Sequence, residues 1–146
     1  MTGSPADGPA PPLQLTLPSD ETALEAARLA LFDFIADQGL APSVVFKLEL
    51  VLEETLMNLI QHAFPEGGLH PIDLTVRLDP EIIELRFEDN GLPFDPLQVP
   101  PPTFPASIEE ARPGGLGLLL VRSAASAWRY ERVGQRNRLT LHVARA

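Results

Sequence analysis

Glu54 and Asn58 lie four residues apart in Glu53-Glu-Thr-Leu-Met-Asn-Leu-Ile-Gln-His62, so on a helix they project together from one face. Apolar Val51 and Met57 flank them, and a carboxylate and a carboxamide in such surroundings need a partner. A divalent cation with a polyanion would supply one, because the Asn58 oxygen is a hard ligand for Mg²⁺ and Glu54 is a proton acceptor. The alternative is a solvent-facing polar strip. A second constellation is Glu88-Asp-Asn-Gly-Leu-Pro-Phe-Asp-Pro96, placed where a buried strand ends. There Asp89 could accept a hydrogen bond from an exocyclic amine while Gly91 lets a flat ring approach the backbone. The plainer reading is a strand-terminating turn, for which Asp-Asn-Gly is ordinary chemistry. The third is Arg112-Pro-Gly-Gly-Leu-Gly-Leu-Leu-Leu120. Gly114, Gly115 and Gly117 at a helix start expose amide N–H groups at the positive end of the dipole, which makes a phosphate cradle.

Composition narrows what these groups can be. A chain of 146 residues with 45% apolar content suits one globular domain with its own core. Eleven Lys+Arg against 20 Asp+Glu give a net charge of −9, which argues against a general nucleic-acid binder. The absence of cysteine excludes disulfides, thiolate nucleophiles and Cys-type zinc sites. His62, His70 and His142 include no pair at metal-ligand spacing. Lys47 is the only lysine and sits in Val45-Phe-Lys-Leu-Glu49 with no glycine run before it. It fits neither a Walker A loop nor the phosphate-pairing strand of eukaryotic-type kinases. Charge is uneven: residues 111–146 hold seven Arg against Glu131 alone, while the first 110 carry four basic and 19 acidic residues. Those arginines either line the solvent face of the last hairpin or form a docking surface for an acidic partner. The first residues carry neither a basic start nor an apolar segment, and no stretch approaches a membrane span. A soluble cytoplasmic protein is expected.

The elements that must position the three constellations follow from the hydrophobic pattern. Four prolines in residues 5–12 predict a disordered tail over 1–12, leaving one domain over 13–146. Leu13, Leu15 and Leu17 alternate as a strand. Pro18-Ser-Asp20 opens a helix with Thr22 and Glu25 at capping-box spacing and an apolar stripe of Leu24, Ala27, Leu31, Phe34 and Ile35. Pro42-Ser43 starts a second helix that runs to about Phe64 and is apolar nearly all round, so it should be buried on more than one face. Ile72–Leu78 and Ile83–Phe87 form a hairpin around Asp79-Pro80, and Trp128–Val133 and Arg138–Val143 form another around Gly134-Gln135. Gly115 to about Ala127 is helical. Seven prolines between Pro93 and Pro113 mark a long loop over about 92–113, expected to be a functional lid that is mobile without ligand. The order β-α-α-β-β-loop-α-β-β predicts an α/β (α+β) two-layer sandwich with a mixed, mostly antiparallel sheet and helices on one face.

Taken together, an E-x-x-x-N helix, a D-x-G-x-P-F-D-P turn, a long lid and a G-G-L-G-L helix start resemble the Bergerat-fold (GHKL) ATPases. Within that superfamily the chain is most similar to the small anti-sigma factor serine/threonine kinases, over about residues 13–143. The resemblance implies ATP and Mg²⁺ as cofactors, with Glu54 as general base and Asn58 as the Mg²⁺ ligand. It implies Asp89 as the adenine-reading carboxylate with Gly91 beside the base. Gly114, Gly115 and Gly117 fall on the phosphate-binding glycines, and Arg112 on a lid arginine near the terminal phosphate. His62 is read as a packing or hydrogen-bonding residue near the nucleotide. Asn137-Arg-Leu-Thr-Leu141 matches the last strand. Arg138 departs from the pattern, standing where many members carry a threonine that helps hold adenine.

The function implied is an ATP-dependent serine/threonine protein kinase that phosphorylates an antagonist protein and sequesters a sigma factor, with no direct nucleic-acid or membrane contact and with room for a homodimer. The alternative is a nucleotide-gated binding regulator with little or no catalysis.

Overall fold

The structure, a computed structural model, describes residues 11–98 and 115–146. Its elements run β1 (Leu13–Leu17), α1 (Thr22–Ile35), α2 (Pro42–His62), β2 (Ile72–Leu78), β3 (Ile82–Asp89), a 3-10 turn (Pro96–Gln98), α3 (Gly115–Ala124), β4 (Ala127–Val133) and β5 (Arg136–Ala144). The expected order is therefore reproduced. Residues 1–10 of the tail expected over 1–12 and the greater part of the lid, 99–113, lie outside the described residues, as do Arg112 and Gly114.

The sheet order is β1-β2-β3-β5-β4. Each of its four pairings is antiparallel, so the sheet expected to be mixed holds no parallel pair among the described residues. The reason lies in the connection between β3 and β4. That crossover does return the chain in the direction of β3, as parallel crossovers do. However, the tight hairpin at Gly134 (φ +61°) then folds β5 into the gap between them. Both direct neighbours of β5 consequently run opposite to it.

One face of the sheet is apolar. Ile72, Leu74, Val76, Ile83, Leu85, Phe87, Leu139, Leu141 and Val143 are buried there against the helices, with outward residues alternating between them. Helix α2 buries Val44, Leu48, Leu52, Leu56 and Leu59 along one stripe, and Val51 and Asn58 beyond it. It is enclosed on more than one side because α3 also packs on it. Helix α1 differs from expectation at its start and its stripe. Glu21 precedes the helix without a side-chain cap, and Thr22 lies inside it. Asp20 instead accepts hydrogen bonds on Oδ1 from the Thr22 amide (2.9 Å) and the Thr22 hydroxyl. The buried stripe is Ala23, Ala27, Leu31 and Ile35, with Leu24 and Phe34 only partly covered.

Candidate functional site

Two-residue periodicity carries polar groups to one end of the apolar face. On β3 the inward positions are Ile83, Leu85, Phe87 and Asp89, and on β5 they are Val143, Leu141, Leu139 and Asn137. Asp89 and Asn137 are cross-strand partners in the ladder and are 1% and 2% exposed. Such burial of a carboxylate requires hydrogen bonds. Asp89 Oδ1 accepts from the Gly91 amide (2.8 Å) and from Asn137 Nδ2 (2.9 Å). Both bonds fall on one oxygen, so Oδ2 is the acceptor left without a hydrogen bond among the described residues.

Asn137 is the hub that sequence reasoning missed. Its Nδ2 also donates to the Leu92 carbonyl at 2.7 Å. Its Oδ1 accepts from the Phe94 amide (3.3 Å), the Tyr130 hydroxyl and Arg132 Nη1 (3.1 Å). Arg132 Nη1 donates to the Gly91 carbonyl as well, at 2.8 Å. The available signal was Asn at an inward position of a strand otherwise filled by leucine and valine. Arg138, by contrast, points to the opposite face and pairs with Glu88 (3.4 Å) and Glu131 (3.7 Å). It therefore does not replace a pocket threonine; Asn137 is the β5 residue facing Asp89.

The end of α2 closes the other side. The Ala63 carbonyl accepts from the Leu92 amide at 3.1 Å, and the His62 and Phe94 rings lie 5.7 Å apart. A Cβ on Gly91 would come within 2.4 Å of the Ala63 oxygen and 2.9 Å of Asp89 Oδ1. Glycine is thus required here by the approach of the α2 terminus, a reason independent of any ring approaching the backbone. One and two turns back along α2 lie Asn58 and Glu54. Asn58 is buried, and its Nδ2 donates to the Glu54 carbonyl at 2.8 Å. This bond fixes the amide's orientation, since the reverse would set oxygen against oxygen, and it leaves Oδ1 as the atom able to ligate. Glu54 is half-buried. No hydrogen bond among the described residues joins Glu54 or Asn58 to Asp89; the two groups are related through the contacts of His62 and Ala63 with the loop.

Gly115 and Gly117 open α3, which packs against α2. The segment after the Asp-Asn-Gly turn is held more firmly than a free lid. Leu97 is buried, its amide donates to Asp95 Oδ1 (3.0 Å), and its carbonyl accepts from Arg122. The basic C-terminal third is also committed: Arg136 pairs with Asp73 (2.8 Å), Arg129 with Glu131, and Arg145 Nη1 donates to the Asp79 carbonyl (3.0 Å). These pairs favour the solvent-face reading of the arginines. Among the described residues no group of three or more His, Asp or Glu side chains could cage a metal, and no helix is long and apolar enough to cross a membrane.

A layer of helices on an antiparallel sheet, with a buried carboxylate ending a central strand beside a helix that carries an inward asparagine, is the architecture of a Bergerat-type ATP-binding sandwich. The chain belongs to the histidine kinase-like ATPase domain family, whose model matches residues 17–143. It is similar to the serine/threonine-protein kinase BtrW of Bordetella bronchiseptica, 40% identical over 96 residues that make up 66% of this chain and 68% of that protein. It is also similar to the serine-protein kinase RsbW of Listeria innocua, 26% identical over 115 residues, 76% of this chain and 73% of that protein. Two solved structures share the fold. The RsbU and RsbW domains of Rv1364c from Mycobacterium tuberculosis match with a TM-score of 0.64 at 19% identity, over 94% of this chain and 34% of that one. The histidine kinase domain from Erythrobacter litoralis EL346 matches with a TM-score of 0.54 at 15% identity, over 85% of this chain and 60% of that one.

Proposed function

We propose that this chain is an ATP- and Mg²⁺-dependent protein kinase that phosphorylates a serine or threonine of a small antagonist protein and, in alternation, sequesters a sigma factor. The observation that carries the reading is the Asp89 carboxylate, buried with one oxygen bonded twice and the other left to accept. That is the donor–acceptor complement of an exocyclic amine on a flat heterocycle. Family membership and the likeness to two protein-serine kinases support the same reading.

Each residue then has a separate task. Asp89 reads the adenine amine, and Asn137 holds that carboxylate and the following loop in register. Gly114, Gly115 and Gly117 present amides to the phosphates, with Arg112 near the terminal one. Asn58 Oδ1 would hold Mg²⁺, a hard cation that takes oxygen ligands and is bound together with substrate phosphates. Bound Mg²⁺ would neutralise charge on the phosphates. Glu54 orients the attacking hydroxyl and accepts its proton.

The test is incubation with γ-labelled ATP and a candidate antagonist protein. Label transferred to a serine or threonine by wild type and lost in E54Q is the expected result. Nucleotide binding without transfer to the antagonist would leave a nucleotide-gated binder in place of the kinase.

A further inference from the structure

Asp89, Asn137 and Arg132 are successive cross-strand partners on β3, β5 and β4. The first two are buried, whereas Arg132 belongs to the outermost strand and is exposed. Strand alternation nevertheless sets it on the face of the sheet that Asn137 occupies. Exposed arginines are ordinarily left to water, but this one is bound to the protein. Its Nη1 bears two N–H donors and serves two acceptors, the Gly91 carbonyl at 2.8 Å and Asn137 Oδ1 at 3.1 Å.

Both bonds converge on the turn that follows Asp89. There the four backbone polar groups of Gly91 and Leu92 are held from four different elements. The Gly91 amide donates to Asp89 Oδ1 on β3 (2.8 Å), and the Leu92 amide to the Ala63 carbonyl at the end of α2 (3.1 Å). The Leu92 carbonyl accepts from Asn137 on β5 (2.7 Å), and the Gly91 carbonyl from Arg132 on β4. Three of these partners are buried; Arg132 reaches the turn from solvent. The Gly91 carbonyl and the Leu92 amide belong to one rigid peptide plane. A glycine on its near side leaves that plane free to swing unless both edges are pinned. Ala63 pins the nitrogen edge and Arg132 the oxygen edge. We infer that Arg132 is a positioning residue for base selection, which rests on Asp89 being the reader of adenine. By pinning this peptide and bonding Asn137, it keeps Asp89 Oδ1 engaged by its two donors, so that Oδ2 is the oxygen offered to an exocyclic amine. Arg132 acts through the turn and through Asn137, not on the ligand.

The test compares ATP with purine riboside triphosphate, which is ATP without its exocyclic amine. Both are titrated calorimetrically into the full chain in the presence of Mg²⁺. Wild type should prefer ATP. R132A should lose about tenfold of that preference, the worth of one hydrogen bond to a charged group, because a turn free to swing no longer holds Asp89 for the amine. A general loss of structure would weaken both ligands alike and leave the ratio unmoved. R129A is the control. It removes the same charge from the same strand on the opposite face, where Arg129 pairs with Glu131, and should keep the wild-type ratio. R132Q carries its amide on a chain too short to span both acceptors, so it should behave as R132A does and replaces it if alanine fails to fold. In the nucleotide-free chain, the Gly91 and Leu92 amides of either variant should exchange faster than in wild type. A wild-type ratio or unchanged exchange in these variants, or an equal loss in R129A, would overturn the inference and leave the nucleotide reading intact. Failure of both variants to fold would make Arg132 a residue of the fold instead. A wild-type protein that binds the two triphosphates equally would remove Asp89 as the reader, and the role of Arg132 with it.

Discussion

Asn137 stands directly across the ladder from Asp89 and donates its Nδ2 to Asp89 Oδ1 at 2.9 Å, while the same side chain ties down Leu92 and Phe94. One amide therefore sets both the carboxylate that reads a ligand and the start of the loop that follows it. Removing the charge at position 89 should cost ligand affinity more than fold. Asp89→Asn is expected to weaken ATP binding by about 1.5–3 kcal/mol, the worth of a hydrogen bond to a charged group. Calorimetric titration with unchanged affinity would take Asp89 out of the pocket.

Glu54 and Asn58 share a helix face and should fail differently. Glu54→Gln keeps size and removes the basic oxygen, so nucleotide affinity should hold within a few-fold while transfer falls by about 10²–10⁴. Asn58→Ala deletes the ligating oxygen, so Mg²⁺-dependent binding and transfer should fall together. Parallel titrations and single-turnover transfer assays would reveal whether the split exists.

Gly91 is expected to reject even one methyl. Its φ is not positive, so the cost of Gly91→Ala is steric: a Cβ 2.4 Å from the Ala63 oxygen. Overpacking against backbone costs about 1–3 kcal/mol, and denaturant unfolding should show that loss without any nucleotide present. Unaltered stability would mean that the α2 end and the loop can part freely.

Amide exchange should divide the proline-rich loop. Leu92, Phe94 and Leu97 amides donate to Ala63 O, Asn137 Oδ1 and Asp95 Oδ1, and should exchange slowly in the absence of nucleotide. Fast exchange at these three positions would return the lid to its broader extent beginning at Leu92.

Glu53 offers a test by pH. Burial, with Glu49 nearby, raises its carboxyl pKa, and Arg28 opposes this only in part. A raised acid in the folded state binds protons more readily than in the unfolded chain. Its ionisation is therefore a destabilising contribution that grows as pH rises through the folded pKa and vanishes below the unfolded one. Glu53→Gln should melt at slightly higher temperature than wild type at pH 7, within the ~1 kcal/mol that surface charges exert, with the difference closing below about pH 4. A gain that persists in acid would assign the effect to packing.

The element order, the α2 core stripe and the inward placement of Asp89 were legible because period and polarity agree there: each strand alternates, and α2 has apolar residues on several sides. What was not legible depends on distance across the sheet. Asn137 looked like one residue of a strand motif, and only register shows it facing Asp89. Arg138 looked like the pocket residue, yet strand alternation turns it to the other face. The α1 cap failed for a local reason, since Asp20, two residues earlier, accepts from the Thr22 amide that a capping box would have given to Glu25. The sheet was expected to be mixed from the element order, but a late hairpin places β5 between the strands that the crossover aligns.

That late hairpin also has a consequence for the order in which the molecule is made. β5 is the last strand in sequence yet lies between β3 and β4, paired on both sides. While the chain emerges from the ribosome, β1, β2 and β3 can pair with one raw margin, but Asp89 remains without Asn137 until β5 has emerged. The buried pair of Asp89 and Asn137 is therefore completed only once β5 is in place. Loss of β5 would leave the earlier strands paired, with no asparagine facing the carboxylate at the end of β3.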